Sequence, residues 1–168
     1  FGSLLGTDEA GEFAVGPPIE PGKAAPLPLS QRYIDSTMTV RTRWAGLEVT
    51  DYLPHDVPVG RTDLTRVIRG DVPVHVRFAP RPEFGQAAVR IETSDEGLRV
   101  LGSNEPLVLR SPGVTWEIES ERNHQTATAV IDPSGGEIVL ELRCGTEDLD
   151  AHPQPEAERR AAAESYWS

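Results

Sequence analysis

Residues 37–53 read Thr-Met-Thr-Val-Arg-Thr-Arg-Trp-Ala-Gly-Leu-Glu-Val-Thr-Asp-Tyr-Leu, and this stretch decides the fold class. Met38, Val40, Thr42 and Trp44 alternate with Thr37, Thr39, Arg41 and Arg43. A period of two marks a strand with one buried face, because successive side chains leave a pleated backbone on opposite sides. After Ala45-Gly46 the alternation resumes, with Leu47, Val49, Asp51 and Leu53 set against Glu48, Thr50 and Tyr52. Two residues ending in glycine between two such runs predict a β-hairpin. A second hairpin is expected where Leu64 to Arg69 lead through Gly70-Asp71 into Val72, Val74, Val76 and Phe78. Pro73 has no N–H to donate, so that strand is expected at a sheet edge or unpaired at its start.

The alternation recurs at Ala87/Val89/Ile91, Leu98/Val100, Leu107/Leu109, Val114/Trp116/Ile118, Ala127/Ala129/Ile131 and Ile138/Leu140/Leu142. Turn clusters separate these runs, as at Ser94-Asp95-Glu96-Gly97 and Asp132-Pro133-Ser134-Gly135-Gly136. Gly and Pro supply 30 of the 168 residues and fall as punctuation rather than in one tract. The expectation is an all-β chain: an antiparallel β-sandwich of about ten to twelve strands over residues 1–152. Residues 16–30 carry five prolines and read as an extended surface loop, with a Pro-rich partner motif as the sharper alternative. A helical pattern begins only in residues 153–168, where Pro155 suits the first helical position and Glu156 and Glu158 complement the dipole. This short C-terminal α-helix has Ala163, Tyr166 and Trp167 as its apolar face and no glycine cap. It reads as a helix cut short, whose apolar face of Ala163, Tyr166 and Trp167 is to be covered by the continuing chain, leaving residues 156–168 poorly protected without it.

The length fits one domain with a sizeable core. A formal charge of −11 repels phosphate backbones and anionic lipid, so neither nucleic acid nor a membrane surface is an expected partner. No apolar run approaches the roughly 20 residues that span a bilayer. Cys144 is the single cysteine, which rules out an internal disulfide and fits a reducing, cytoplasmic setting. Residue 1 is Phe, so the sequence is expected to begin inside a longer protein.

Catalytic motifs are not found. His55, His75, His124 and His152 lack the local spacing of a metal site, and no nucleophile elbow, phosphate loop or dinucleotide fingerprint occurs, so no metal and no cofactor is expected. His75 and His124 read as solvent-facing strand or turn residues. Asp51 falls in phase with inward residues and is the one carboxylate whose position invites a special role; the plainer reading is a hydrogen-bonded aspartate at a strand end beside Pro54. Trp44 and Trp116 share the phase of their apolar neighbours and read as core residues rather than sugar platforms.

Several stretches resemble a known family in order and spacing. They are Phe1 with Leu4-Leu5, Gly11-Glu12-Phe13, Arg32-Tyr33, Thr37, Trp44, Val49-Thr50-Asp51-Tyr52-Leu53-Pro54, Arg66-Val67-Ile68-Arg69-Gly70, Phe78-Ala79-Pro80-Arg81 and Phe84-Gly85. Together they resemble the N-terminal domain of bacterial glycoside hydrolase family 15 proteins, the glucoamylase-like and trehalase-like enzymes. The resemblance implies a supersandwich packed against a downstream (α/α)6 barrel that hydrolyses α-glucosidic bonds with inversion, using two glutamates of that barrel. No residue of the present chain inherits a catalytic role, and carbohydrate would be met only through the barrel. Residues 153–168 would lead into it, with Tyr166 and Trp167 as interdomain packing residues. Two departures stand out: the Arg-Phe-Asp-Ser stretch expected before Phe1 is missing, and Phe84 occupies a position where tyrosine is common. An independent carbohydrate-binding or protein-interaction sandwich is the alternative.

Overall fold

The structure, a computed structural model, describes residues 11–20 and 22–168, so Phe1 and Leu4-Leu5 lie outside the described residues. Within them, twelve strands form two antiparallel sheets. The smaller runs in the order β1 (Glu12–Gly16), β6 (Val74–Ala79), β11 (His124–Ile131), β10 (Glu117–Glu121). The larger runs β2 (Ser30–Tyr33), β3 (Val40–Trp44), β4 (Leu47–Tyr52), β5 (Thr62–Gly70), β12 (Ile138–Cys144), β9 (Leu107–Arg110), β8 (Gly97–Leu101), β7 (Arg90–Ser94). The expected sandwich is present, with Val49, Ile68, Leu98 and Leu140 of the large sheet packed on Val76, Phe78, Ala127 and Ala129 of the small one. One helix, α1 (Glu156–Trp167), follows the strands, and no described helix is long and apolar enough to cross a membrane.

The first expected hairpin is β3–β4: Trp44 faces Leu47 across Ala45-Gly46, and Gly46 takes φ 72°. A Cβ there would also lie 2.6 Å from Asp71 Oδ1, so glycine is required twice over. The strand begins later than its alternation suggests, because Ile34 N donates to Thr39 O at 2.8 Å and closes a turn. Met38 is consequently exposed and Thr39 buried, the reverse of their expected phase.

The second expected hairpin is not formed. β5 is flanked on both edges, by β4 and by β12, and has no free edge to offer β6. The chain turns the corner at 71–73, with Asp71 N bonded to Gly46 O at 3.1 Å, and enters the other sheet. There β6 is an interior strand between β1 and β11, not an edge, and Pro73 is tolerated because it stands just before the ladder.

Trp44 and Trp116 are half-buried at the rim of the core, and their indole N–H groups donate to Pro26 O (3.1 Å) and Ser111 Oγ (2.9 Å). Asp51 follows its plainer reading. It accepts two bonds from Arg66, its neighbour across the ladder, at 2.7 and 3.0 Å. Arg66 also donates to Phe13 O at 2.7 Å and lies 4.5 Å over the Phe13 ring, tying the large sheet to β1 of the small one. Residues 17–20 and 22–29 form the expected surface excursion, with Leu27 and Leu29 in solvent.

Candidate interdomain surface

The face of the large sheet turned away from the core carries Thr50, Tyr52, Asp63, Thr65, Glu141 and Arg143, and all six are buried. Their phase reads as solvent-facing, but residues 145–155 and α1 fold back over them. Arg143, 1% exposed, donates to Asp148 O (2.8 Å) and Asp150 O (2.9 Å), fastening the first of these covers. It also meets Glu141 at 2.5 Å, and Arg159 of α1 meets the other Glu141 oxygen at 2.5 Å. The helix is thus held by a buried Arg–Glu–Arg triad. Burial opposes the Glu141 charge, yet Arg159 and Arg143 outweigh it and hold the carboxyl below its ordinary range. One turn on, Ala163 is small enough to let the helix approach, and it packs on Tyr52 and Val67. Burial pushes the Tyr52 hydroxyl up to about 12. Burial likewise raises Glu156 despite Arg160 beside it. Ala163 therefore finds its cover within this chain, contrary to expectation.

The last turn of α1 behaves differently. Trp167 Nε1 reaches Leu53 O at 3.3 Å, and the Tyr166 ring stacks on His55 with centroids 4.9 Å apart. Tyr166 and Trp167 meet edge to face at 4.9 Å, yet remain 63% and 41% exposed. Strand register shows what shares this end of the sandwich. Val40 pairs with Asp51, Thr62 with Cys144, Cys144 with Leu107 and Leu101 with Arg90, so the connections at 34–39, 53–61, 80–89 and 102–106 lie here together. They present Met38, Val59, Phe84 and Leu101, all exposed.

Two clefts adjoin this framework. One of about 680 Å³ runs between residues 54–61, 148–154 and α1. Its charged groups bond one another: Arg61 grips Asp63 at 2.8 and 2.6 Å and reaches Asp148 at 3.3 Å. The Asp150 N–H, with the nearby arginines, holds Asp148 below its ordinary range. The other cleft, about 760 Å³, lies at the opposite end on the outer face of the small sheet, under the Pro-rich loop, and is lined by Ala14, Pro26, Trp44, His75, Thr128 and Val130. Beside it Glu12 and Arg77 pair at 2.8 Å. Among the described residues no group of three or more His, Cys, Asp or Glu side chains is placed to hold a metal ion.

With the geometry in place, comparison with known proteins becomes specific. The sequence profile of the family described as trehalase-like, N-terminal matches residues 1–167. The chain belongs to that family. A search of curated proteins finds no match. Among solved structures this trehalase-like N-terminal domain is similar to a polysaccharide lyase, at 13% identity and TM-score 0.44, covering 80% of this chain and 25% of that one. It is also similar to a human-microbiome protein bearing the name kojibiose phosphorylase, at 11% identity and TM-score 0.37, covering 77% of this chain and 20% of that one. The domain thus spans about a quarter and a fifth of the length of these two chains.

Sequence reasoning singled out Tyr166 and Trp167, and the structure brings them together with His55, which appeared isolated. It missed the triad Glu141, Arg143 and Arg159. The available signal was Glu141-Leu142-Arg143, two opposite charges on one face of an otherwise apolar strand. His75 is exposed as expected, whereas His124 is half-buried with Nε2 2.8 Å from Gly85 O.

Proposed function

We propose that this domain is a non-catalytic N-terminal sandwich of a glycosidase acting on α-glucosidic bonds, of glucoamylase or trehalase type and inverting, in the manner of glycoside hydrolase family 15. Its task is to seat a downstream (α/α)6 catalytic barrel. The observation that carries this reading is α1: its first two turns are bonded to the sandwich through Arg159 and Ala163, while Tyr166 and Trp167 at its end stay uncovered. A helix anchored at one end and apolar at the other holds the following element at a set angle. Family membership supports the glycosidase class.

The test compares the 168-residue chain with the full-length protein, using trehalose, maltose and an aryl α-glucoside. Turnover is expected only from the full-length protein, with the aryl α-glucoside releasing β-glucose first and trehalose releasing one α- and one β-glucose, as read by proton NMR. Trp167→Ala is expected to split its thermal unfolding into separate domain transitions. Turnover by the short chain that one carboxylate substitution abolishes would overturn the reading. A free sugar-binding module is favoured by one feature, the cleft beside Trp44. Maltooligosaccharide titration of the short chain, followed by amide shifts at Thr128 and Val130, tests that alternative.

A further inference from the structure

The turn from Pro82 to Gly85 contains three successive residues in the left-handed region: Glu83 (φ 53°, ψ 40°), Phe84 (φ 57°, ψ 33°) and Gly85 (φ 81°). Glycine enters that region freely, but an aromatic residue there is a true outlier, and non-glycine residues normally visit it singly. The surroundings hold the strain in place. Gly85 N bonds Arg81 O at 3.3 Å and Gln86 N bonds Glu83 O at 3.2 Å. His124 engages Gly85 O at 2.8 Å, Arg81 reaches Gln125 O at 3.1 Å and Thr126 Oγ1 at 3.0 Å, and Asn104 donates to the Glu83 carboxylate. All this bonding serves to project one phenyl ring, 85% exposed, into solvent. Strain that is over-determined by its neighbours, at a side chain left 85% exposed, points to a use for that side chain.

We propose that Phe84 is an anchor by which the domain seats on the catalytic domain of the same protein, entering a ring-sized apolar socket there. This rests on the function proposed above and adds a second contact to Tyr166 and Trp167. Three features identify the occupant. The turn lies at the end of the sandwich to which α1 delivers the chain, as Asn104 of the 102–106 connection bonding Glu83 shows. The charged groups on either side, Arg81 and Glu83, are already engaged within the domain, which leaves the ring as the group on offer. A bare phenyl ring has no polar atom to satisfy, so its complement is apolar. Held by its backbone, the ring loses little conformational freedom on docking, which is what makes an effective anchor.

Phe84→Gly tests this because it removes the ring and relieves the strain together. In the 168-residue chain it is expected to raise the melting temperature by a few degrees. In a mixing experiment between this chain and the separately produced downstream domain, followed by calorimetry, it is expected to weaken association at least tenfold. Phe84→Tyr, which would bury a hydroxyl in an apolar socket, is expected to weaken association as well. Unchanged association with Phe84→Gly, when Trp167→Ala weakens it, would overturn the anchor and leave the docking reading standing. Failure of the unaltered parts to associate at all would overturn both. An increase in KM for the sugar substrate in the full-length protein, with association untouched, would reassign Phe84 to ligand contact and overturn the proposal.

Discussion

Replacing Glu141 by glutamine removes one charge from the triad beneath α1 and tests how the helix is held. Glu141 is 3% exposed and accepts from Arg143 Nη2 at 2.5 Å, Arg143 Nε at 3.2 Å and Arg159 Nη2 at 2.5 Å. In Glu141→Gln the amide NH2 must face one of the two guanidinium groups, and the remaining carbonyl is uncharged. Arg159 then lacks a counter-charge and Arg143 keeps only Asp148, 3.6 Å away, and breaking a buried pair in this way costs about 3–5 kcal/mol. At about 2.1 cal/mol/K per residue, unfolding 168 residues carries an entropy of about 0.35 kcal/mol/K, so the melting temperature should fall by about 8–14 °C. Calorimetry reads the shift, and hydrogen exchange should show α1 losing protection before the strands. The triple replacement Glu141→Leu, Arg143→Met, Arg159→Leu supplies the contrast: with no charge of the triad left to desolvate, and the Arg143 bonds to Asp148 O and Asp150 O given up, it should still cost less than the single change. A fall below about 3 °C for Glu141→Gln, or a triple variant less stable than the single one, would refute the reasoning.

The acid limb of stability carries two opposite signs. Glu156 has its folded value above the ordinary carboxylate value, so the native state binds its proton more readily and the contribution of this group to stability falls as pH rises. Glu156→Gln should therefore raise the urea midpoint at pH 7.5, with the gain shrinking as pH falls through the carboxylate range. Glu141 is depressed, so its contribution is present above the ordinary carboxylate value and lost on acidification. Gly97→Ala should destabilise by more than about 1 kcal/mol in urea titration, because Gly97 takes φ 144° and a Cβ would lie 2.1 Å from Leu109 O. In the 168-residue chain, amides from Arg159 to Ala163 should exchange slowly and those of residues 166–168 rapidly.

Most strands were legible because a buried face imposes a period of two, and the one-sided pattern at Val40–Trp44 and Leu47–Tyr52 survives in the observed ladder. The corner at Gly70-Asp71 was not legible, since a two-residue gap with glycine serves a hairpin and a sheet crossing equally well. What decides between them is non-local: β12, about 70 residues later, occupies the edge of β5 that a hairpin would need. The outer layer failed for a related reason. Thr50, Tyr52 and Glu141 look like a solvated face, and only the return of residues 145–167 over the sheet makes them interior. Tyr166 and Trp167 stand out in the sequence as two large aromatics closing an alanine-rich helix, whereas His55 gave no local sign that it would stand under Tyr166.

The triad and the aromatic pair are best understood as one device. The face that α1 turns to the sheet packs closely but specifies its position poorly, because its one buried apolar side chain, Ala163, offers no bulk to fit one hole and reject the next. A slip of one turn, about 5.4 Å, would cost such a face little. It would, however, pull Arg159 off Glu141, leaving the Arg159 charge without its partner and Glu141 with Arg143 alone, and it would carry Trp167 away from Leu53 O. Against an apolar replacement a buried ion triad contributes little net stability. Against a displaced helix it contributes a great deal, since displacement exposes the whole desolvation cost. The charges beneath α1 therefore set the register of the helix, and the register fixes where Tyr166 and Trp167 emerge at the end of the sandwich that also presents Phe84.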